Sequence, residues 1–203
     1  EPWKFPQEEQ LPDIAVQFHK QAADLSDEKF MPYSRDNKQV RPWVIPGTKG
    51  LEHRIGGLEK QNITGNISYD PDNHELMVKV RQEKVDKIAD YIPLQKIDSG
   101  KQQGKVLVIG WGSTYGAIKS ACLELQQQGL EVSHTHLRYI RPFPSNLGEL
   151  IAGFEKILIP EINNGQLVKI IRDAFLVDAK AYNKIKGVPI TKGELIEAIK
   201  EIY

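Results

Sequence analysis

From Lys105 onward the chain alternates short apolar runs with helical periods, and that alternation leaves few architectures open. Val106-Leu107-Val108-Ile109 is an apolar run bounded by glycine, the pattern of a central strand buried on both faces. Ile118, Ala121, Cys122 and Leu125 then recur at helical spacing with Gly129 as the stop, which predicts a crossover helix over 114–128. A strand over 131–137, a short helix after Pro144-Ser145 and the strand 156–159 follow. Next come a helix over 165–176 with Leu167, Ile170, Ile171 and Ala174 inward, a strand over 178–184 and a helix over 192–202. Strands that alternate with helices need right-handed crossovers, so the predicted fold class is α/β: a three-layer, Rossmann-like sandwich around a mostly parallel sheet.

The first half of the 203 residues reads differently. Residues 1–66 hold Pro2, Pro6, Pro12, Pro32, Pro42 and Pro46 and no sustained period, so this part is predicted to be irregular. One long helix interrupts it, over 74–92. Asp70-Pro71-Asp72 marks its start, Asp72 with Glu75 has capping-box spacing, and Pro93 ends it. Met77, Val80, Val85, Ile88, Tyr91 and Ile92 share one arc with Arg81 and Lys84. Those two cations either lay their stems on apolar surface with the heads in water or face an acidic partner. The polar connector 99–104 places the main boundary just before residue 104, giving an extension over 1–103 and an α/β domain over 104–203. Ordered loop of this length usually drapes over a body it packs against, upstream in the same chain or in a partner.

Composition removes several function classes. Lysine and arginine number 27 and aspartate and glutamate 27, so no basic excess is present to neutralise a nucleic-acid backbone. No apolar run approaches the roughly 18 residues that span a bilayer, and the opening Glu-Pro-Trp-Lys is neither an initiator Met nor a signal peptide. The expectation is a cytoplasmic chain with no membrane or nucleic-acid partner, taken from something longer. The single cysteine, Cys122, cannot form an intramolecular disulfide or hold an iron–sulfur cluster, and its helical spacing makes it a small core hydrophobe.

The one obvious ligand site is the turn 110–116, GWGSTYG, at a strand's carboxyl end and a helix N-terminus. Gly112, Ser113 and Thr114 are its anion candidates, with Arg138 placed to meet a 2′-phosphate. The G-x-G-x-x-x-G spacing departs from the dinucleotide fingerprint, and no acidic residue closes the second strand to hold a ribose. The plain alternative is tight turn geometry with Ser113 or Thr114 as helix cap. His134 and His136 point to one face of their strand, but no third ligand stands nearby, so they read as packed against a covering helix and no metal site is expected. Residues 161–165 form a second strand-to-helix turn, with Asn164 as the expected cap. Glycines around Glu52, His53 and Arg54 serve either local turn geometry alone or a shaped loop that presents those side chains, which makes them, with Arg81 and Lys84, the interface or site-edge candidates. No serine, histidine and acid arrangement suggests a catalytic triad.

Longer runs carry a resemblance. Residues 46–59 (PGTKGLEHRIGGLE) and 67–75 (ISYDPDNHE) resemble the alpha subunit of bacterial 2-oxoglutarate ferredoxin oxidoreductases. Residues 110–117, 136–139 with Pro142-Phe143-Pro144, and Pro160-Glu161 with Asn163 and 165–167 look like the same family's transketolase-C-terminal-like domain. The resemblance implies an enzyme that decarboxylates a 2-oxoacid oxidatively with coenzyme A, using thiamine diphosphate, Mg²⁺ and an iron–sulfur cluster, with ferredoxin as electron acceptor and a beta subunit as partner. It also implies that the family's Tyr-Pro-Ile-Thr-Pro motif and its diphosphate–Mg²⁺ motif lie in the rest of the alpha subunit and in the beta subunit. Neither is present here, so no catalytic residue and no bound cofactor is assigned to this chain. The implied role is structural and assembly-related; the alternative is a domain that binds NADP or coenzyme A through the 110–116 turn.

Overall fold

The computed structural model describes residues 5–20 and 29–203; the expected irregular stretch therefore includes residues 1–4 and 21–28, which lie outside the described residues. Two compact units divide between Ile88 and Ala89.

In the first unit, residues 29–70 run as turns joined by isolated bridges, Tyr33 to Ile63 and Lys60 to Ile67, as the prolines and the absence of a period predict. Polar staples hold these turns to helix α1 (Pro71–Asp86). The Asn73 amide, almost fully buried, accepts from Asn62 N–H at 2.8 Å and donates to the Lys60 carbonyl at 3.0 Å. Gly65 adopts a positive φ of 72° and lies so close to Tyr33 that a Cβ would approach its ring to 2.7 Å, which only glycine tolerates. Helix α1 begins three residues earlier than its sequence suggests. Asp70, not Asp72, is the cap: its carboxylate accepts from Asp72 N–H at 3.0 Å, with Pro71 in the first turn. The α-helical part ends at Asp86 and a 3-10 turn continues over Lys87–Asp90. Of its expected apolar arc only Met77 is buried; Ile88 and Tyr91 are exposed.

The second unit is the expected α/β sandwich. Strands β1 (Gly104–Trp111), β2 (Val132–Leu137), β3 (Phe154–Glu161) and β4 (Ala179–Asn183) form one sheet of order β2-β1-β3-β4, parallel throughout. Helices α2 (Tyr115–Gln127) and α5 (Lys192–Ile202) cover one face, and α3 (Leu147–Ala152) and α4 (Gln166–Phe175) the other. Successive residues of β1 feed opposite cores. Val106 and Val108 pack with Ile118, Cys122 and Leu125, while Leu107 and Ile109 pack with Leu147, Leu167 and Ile171. The inward stripe of α4 is Leu167, Val168 and Ile171, whereas Ile170 and Ala174, expected inside, face solvent. At 100° per residue Val168 and Ile170 flank the Leu167–Ile171 stripe at equal angles, so periodicity does not choose between them; the structure buries Val168.

Residues 95–101 lie along the outer edge of β2. Ser99 bridges His134 through backbone bonds, the Asp98 carboxylate accepts from His136 N–H at 2.8 Å, and the Gln95 amide donates to Thr135 Oγ1 at 2.7 Å. An exposed parallel edge is thereby covered. Gly100, at φ 97°, presses against Ser133 where a Cβ would come within 2.8 Å of its Cα. Among the described residues no helix is long and apolar enough to cross a membrane.

Candidate functional site

The strand order reverses direction between β1 and β3, and in open parallel sheets the crevice beyond the carboxyl ends of such strands is where ligands bind. A cavity of about 520 Å³ lies there, lined by Ser113, Thr114, Gly116 and Ala117 after β1, Ile162 after β3, and Gly187 to Ile190 before α5. Gly112 opens the turn at φ 60°, and its carbonyl stands 3.1 Å from His136 Nε2. Thr114 occupies the cap position of α2, but its hydroxyl does not cap. It donates back to the Trp111 carbonyl at 2.8 Å and accepts from Trp111 N–H at 3.3 Å. Ser113 is exposed at the cavity rim. Arg138 follows β2 directly, is exposed, and is not among the lining residues. The lining carries no charged side chain.

The second helix N-terminus at this end is already taken. Glu161, fully buried at the end of β3, accepts from Leu167 N–H at 2.8 Å, Val168 N–H at 3.1 Å and Trp111 Nε1–H at 3.3 Å. The chain's own carboxylate satisfies the positive end of α4, where a ligand's phosphate would otherwise sit. Asn164, the expected cap, makes no such bond; Asn163 Oδ1 takes Gln166 N–H at 2.9 Å, and Gly165 at φ 73° is the cap residue itself. In the sequence Glu161 stands out as part of a strand-to-helix turn and of the family resemblance, not as the acceptor at the start of α4.

Behind the turn, the His134 and His136 rings lie 5.8 Å apart, and Tyr115 of α2 packs on both at 5.4 and 5.0 Å. Burial first, then the neighbouring His136 and Lys119, push His134 down from its ordinary 6.5 to about 3, so it is neutral. Among the described residues neither of its ring nitrogens has a hydrogen-bond partner. Gly110 makes room for this cluster: a Cβ there would meet Ile118 Cδ1 at 2.5 Å and His136 Nδ1 at 2.8 Å. Cys122 is buried in the core, and desolvation pushes its thiol up to about 12, which keeps it protonated and unreactive.

The interface candidates all fall in the first unit. Glu52 folds back to accept from Gly50 N–H at 2.8 Å, and His53 Nδ1 stands 2.9 Å from the Leu51 carbonyl with its ring edge-on to Phe30. Arg54 is exposed beside the exposed Ile55. Arg81 and Lys84 line a separate cavity of about 460 Å³, together with Tyr33, Arg35 and Arg41.

Three comparisons bear on these sites. Residues 104–198 match the family model of pyruvate:ferredoxin oxidoreductase core domain II. The chain is 45% identical over 196 residues to the 2-oxoglutarate oxidoreductase subunit KorA of Mycobacterium tuberculosis, covering 96% of this chain and 29% of that one. It is 32% identical over 168 residues to the alpha subunit of a 2-oxoacid:ferredoxin oxidoreductase from Saccharolobus solfataricus, covering 80% of this chain and 26% of the relative. Its fold superposes with a TM-score of 0.85 and 27% identity on a 2-oxoglutarate:ferredoxin oxidoreductase from Magnetococcus marinus, solved with 2-oxoglutarate, coenzyme A and succinyl-CoA bound, over 97% of this chain and 34% of that chain. The chain thus spans about a third or less of each of these proteins.

Proposed function

Because the chain belongs to the family of 2-oxoacid:ferredoxin oxidoreductase alpha subunits, with residues 104–198 as core domain II, we propose that it is the structural and assembly part of such a subunit, of the 2-oxoglutarate type. The observation that carries this reading is the 45% identity across 96% of the chain to a 2-oxoglutarate oxidoreductase subunit, a span that includes the irregular extension as well as the sheet. In this reading the complete cytoplasmic enzyme joins this chain to the rest of the alpha subunit and to a beta subunit. It decarboxylates 2-oxoglutarate oxidatively with coenzyme A and passes the electrons to ferredoxin.

The cavity beyond β1 and β3 does not fit the cofactors of that reaction. A diphosphate–Mg²⁺ pair needs carboxylates and cations, and the cavity beyond β1 and β3 is lined by neither. The single cysteine is buried with its thiol protonated, so no iron–sulfur cluster is held here. Thiamine diphosphate, Mg²⁺ and the cluster are therefore assigned to the other parts of the enzyme, and no catalytic step to this chain. Its contribution is mechanical: the two-faced sheet is a rigid brace, and the extension lays its exposed apolar side chains on a neighbouring surface.

Co-expression of the complete alpha subunit with its beta subunit tests this. Removal of residues 1–103 is expected to abolish both beta-subunit retention and 2-oxoglutarate- and coenzyme-A-dependent reduction of ferredoxin. Equal co-purification of the truncated subunit would rule out the wrapping role.

The switch-point cavity favours one second reading, a nucleotide-binding domain that uses Gly112, Ser113 and Thr114 with Arg138 at its margin. A ligand at about 100 times its dissociation constant adds roughly 2.7 kcal/mol. A raised thermal midpoint of the 203-residue chain in saturating NADP or coenzyme A, removed by Gly112→Val, would establish it; an unmoved midpoint would dismiss it.

A further inference from the structure

Five cations surround the cavity of the first unit. Arg35, Arg41, Lys60, Arg81 and Lys84 line it, and Glu59 is the single carboxylate among its lining residues. That carboxylate is already shared between His74 at 2.6 Å and Arg81 at 3.3 Å. Among the described residues Arg35, Arg41 and Lys84 form no ion pair. Lys60 is buried, and its ammonium donates to the Gly56 and Leu58 carbonyls at 3.0 and 2.7 Å.

The arginines are fixed in place. Arg35 donates to the Tyr33 carbonyl at 2.9 Å and to Asn62 Oδ1 at 2.6 Å, while Arg41 stacks over the Tyr33 ring at 4.2 Å. Burial first, and then the nearby Arg41, push the Arg35 guanidinium below its ordinary value. An entering anion would offset the repulsion among these cations.

We propose that Arg35, Arg41, Arg81 and Lys84 form a binding site for a small phosphate-bearing molecule. A cavity of about 460 Å³ has small-molecule size. Planar guanidinium forks match phosphate oxygens, and a phosphate group, with roughly two negative charges, offsets part of the excess of five cations over the single carboxylate Glu59. The site lies wholly within the first unit, and the inference stands independently of the reaction the complete enzyme performs.

Calorimetric titration of the 203-residue chain with inorganic pyrophosphate tests the site, at about 0.15 M salt so that diffuse surface attraction is screened. Arg41→Gln is expected to weaken binding at least about tenfold and Lys84→Gln severalfold. Lys169→Gln, an exposed cation on α4, serves as control and leaves binding unchanged. Should Arg41→Gln fail to fold, Lys84→Gln carries the test, since Lys84 makes no hydrogen bond among the described residues. Absence of binding to the unaltered chain, or equal weakening by Lys169→Gln, overturns the proposal. So does tighter binding of a hexaglutamate peptide than of pyrophosphate, which would make this an acidic-protein dock.

Discussion

Between Ala89 and Tyr203 the chain buries its apolar residues on both faces of a sheet, and Val106 to Ile109 have no exposed surface at all. Among the described residues between 5 and 88 only Phe30, Leu51 and Met77 are buried hydrophobics, while Phe5, Ile14, Ile55 and Tyr69 are 71–86% exposed. One unit carries its own core. The other is ordered by turns, by the Asn73 staple and by arginine stacking, none of which removes much apolar surface from water. Hydrophobic burial is the dominant favourable contribution to folding, so the sheet draws its stability from its own core, while the extension buries little apolar surface of its own.

The largest expected contrast comes from truncating one side chain in each unit. Leu107→Ala opens the centre of a close-packed core and should cost about 2–5 kcal/mol of unfolding free energy. Ile55→Ala in the isolated chain should stay within about 0.5 kcal/mol, because nothing is packed on it. A similar cost at both positions in urea titrations would break the comparison.

Glu161→Ala sharpens it from the polar side. It strips the acceptor from two buried N–H groups of α4 and the Trp111 indole, with an expected cost of about 1–3 kcal/mol, whereas Glu161→Gln keeps an acceptor and should lose less. If alanine and glutamine prove equal in thermal melts, the capping account is wrong.

The pH responses come next. His134 cannot take a proton in the folded unit until about pH 3, but the unfolded chain protonates it near its ordinary 6.5. The unfolded state therefore binds more protons between those values, and stability falls as pH drops through that window. His134→Leu should flatten this acid limb in urea midpoints measured from pH 7.5 down to 4; unchanged slopes would contradict the assigned burial. Glu194 works in the same direction at lower pH. Lys184, then the Thr191 backbone and hydroxyl, hold its carboxyl down to about 2. Its contribution is complete above the ordinary 4.5 and is lost as pH falls towards 2. Glu194→Gln should remove that small loss, read as less fraying of α5 in acid; equal fraying in both chains would show the cap to be inert.

The same contrast explains what the sequence could and could not convey. Strands such as Val106 to Ile109 and helices with stripes such as Ile118, Ala121, Cys122 and Leu125 are legible because burial imposes a period on the residues themselves. Choices between neighbours were less legible. Asp70 displaces Asp72 as cap, Glu161 and Asn163 displace Asn164, and Val168 displaces Ile170, because each depends on backbone direction over one or two residues rather than on a period. The cationic cavity was half visible. Arg81 and Lys84 stood out as charges on an apolar arc, but Arg35 and Arg41 join them only through tertiary turns that leave no pattern in sequence. The edge cover by residues 95–101 is likewise a matter of backbone pairing, which side-chain types do not announce.

Amide hydrogen exchange, measured on this chain alone and on the complete enzyme, tests the central claim most directly. The account predicts that strands β1 to β3 are equally protected in both, while amides across residues 29–66 exchange quickly in the isolated chain and gain protection on assembly. Protection in the extension that already equals that of the sheet in the isolated chain, or that does not rise on assembly, would contradict it.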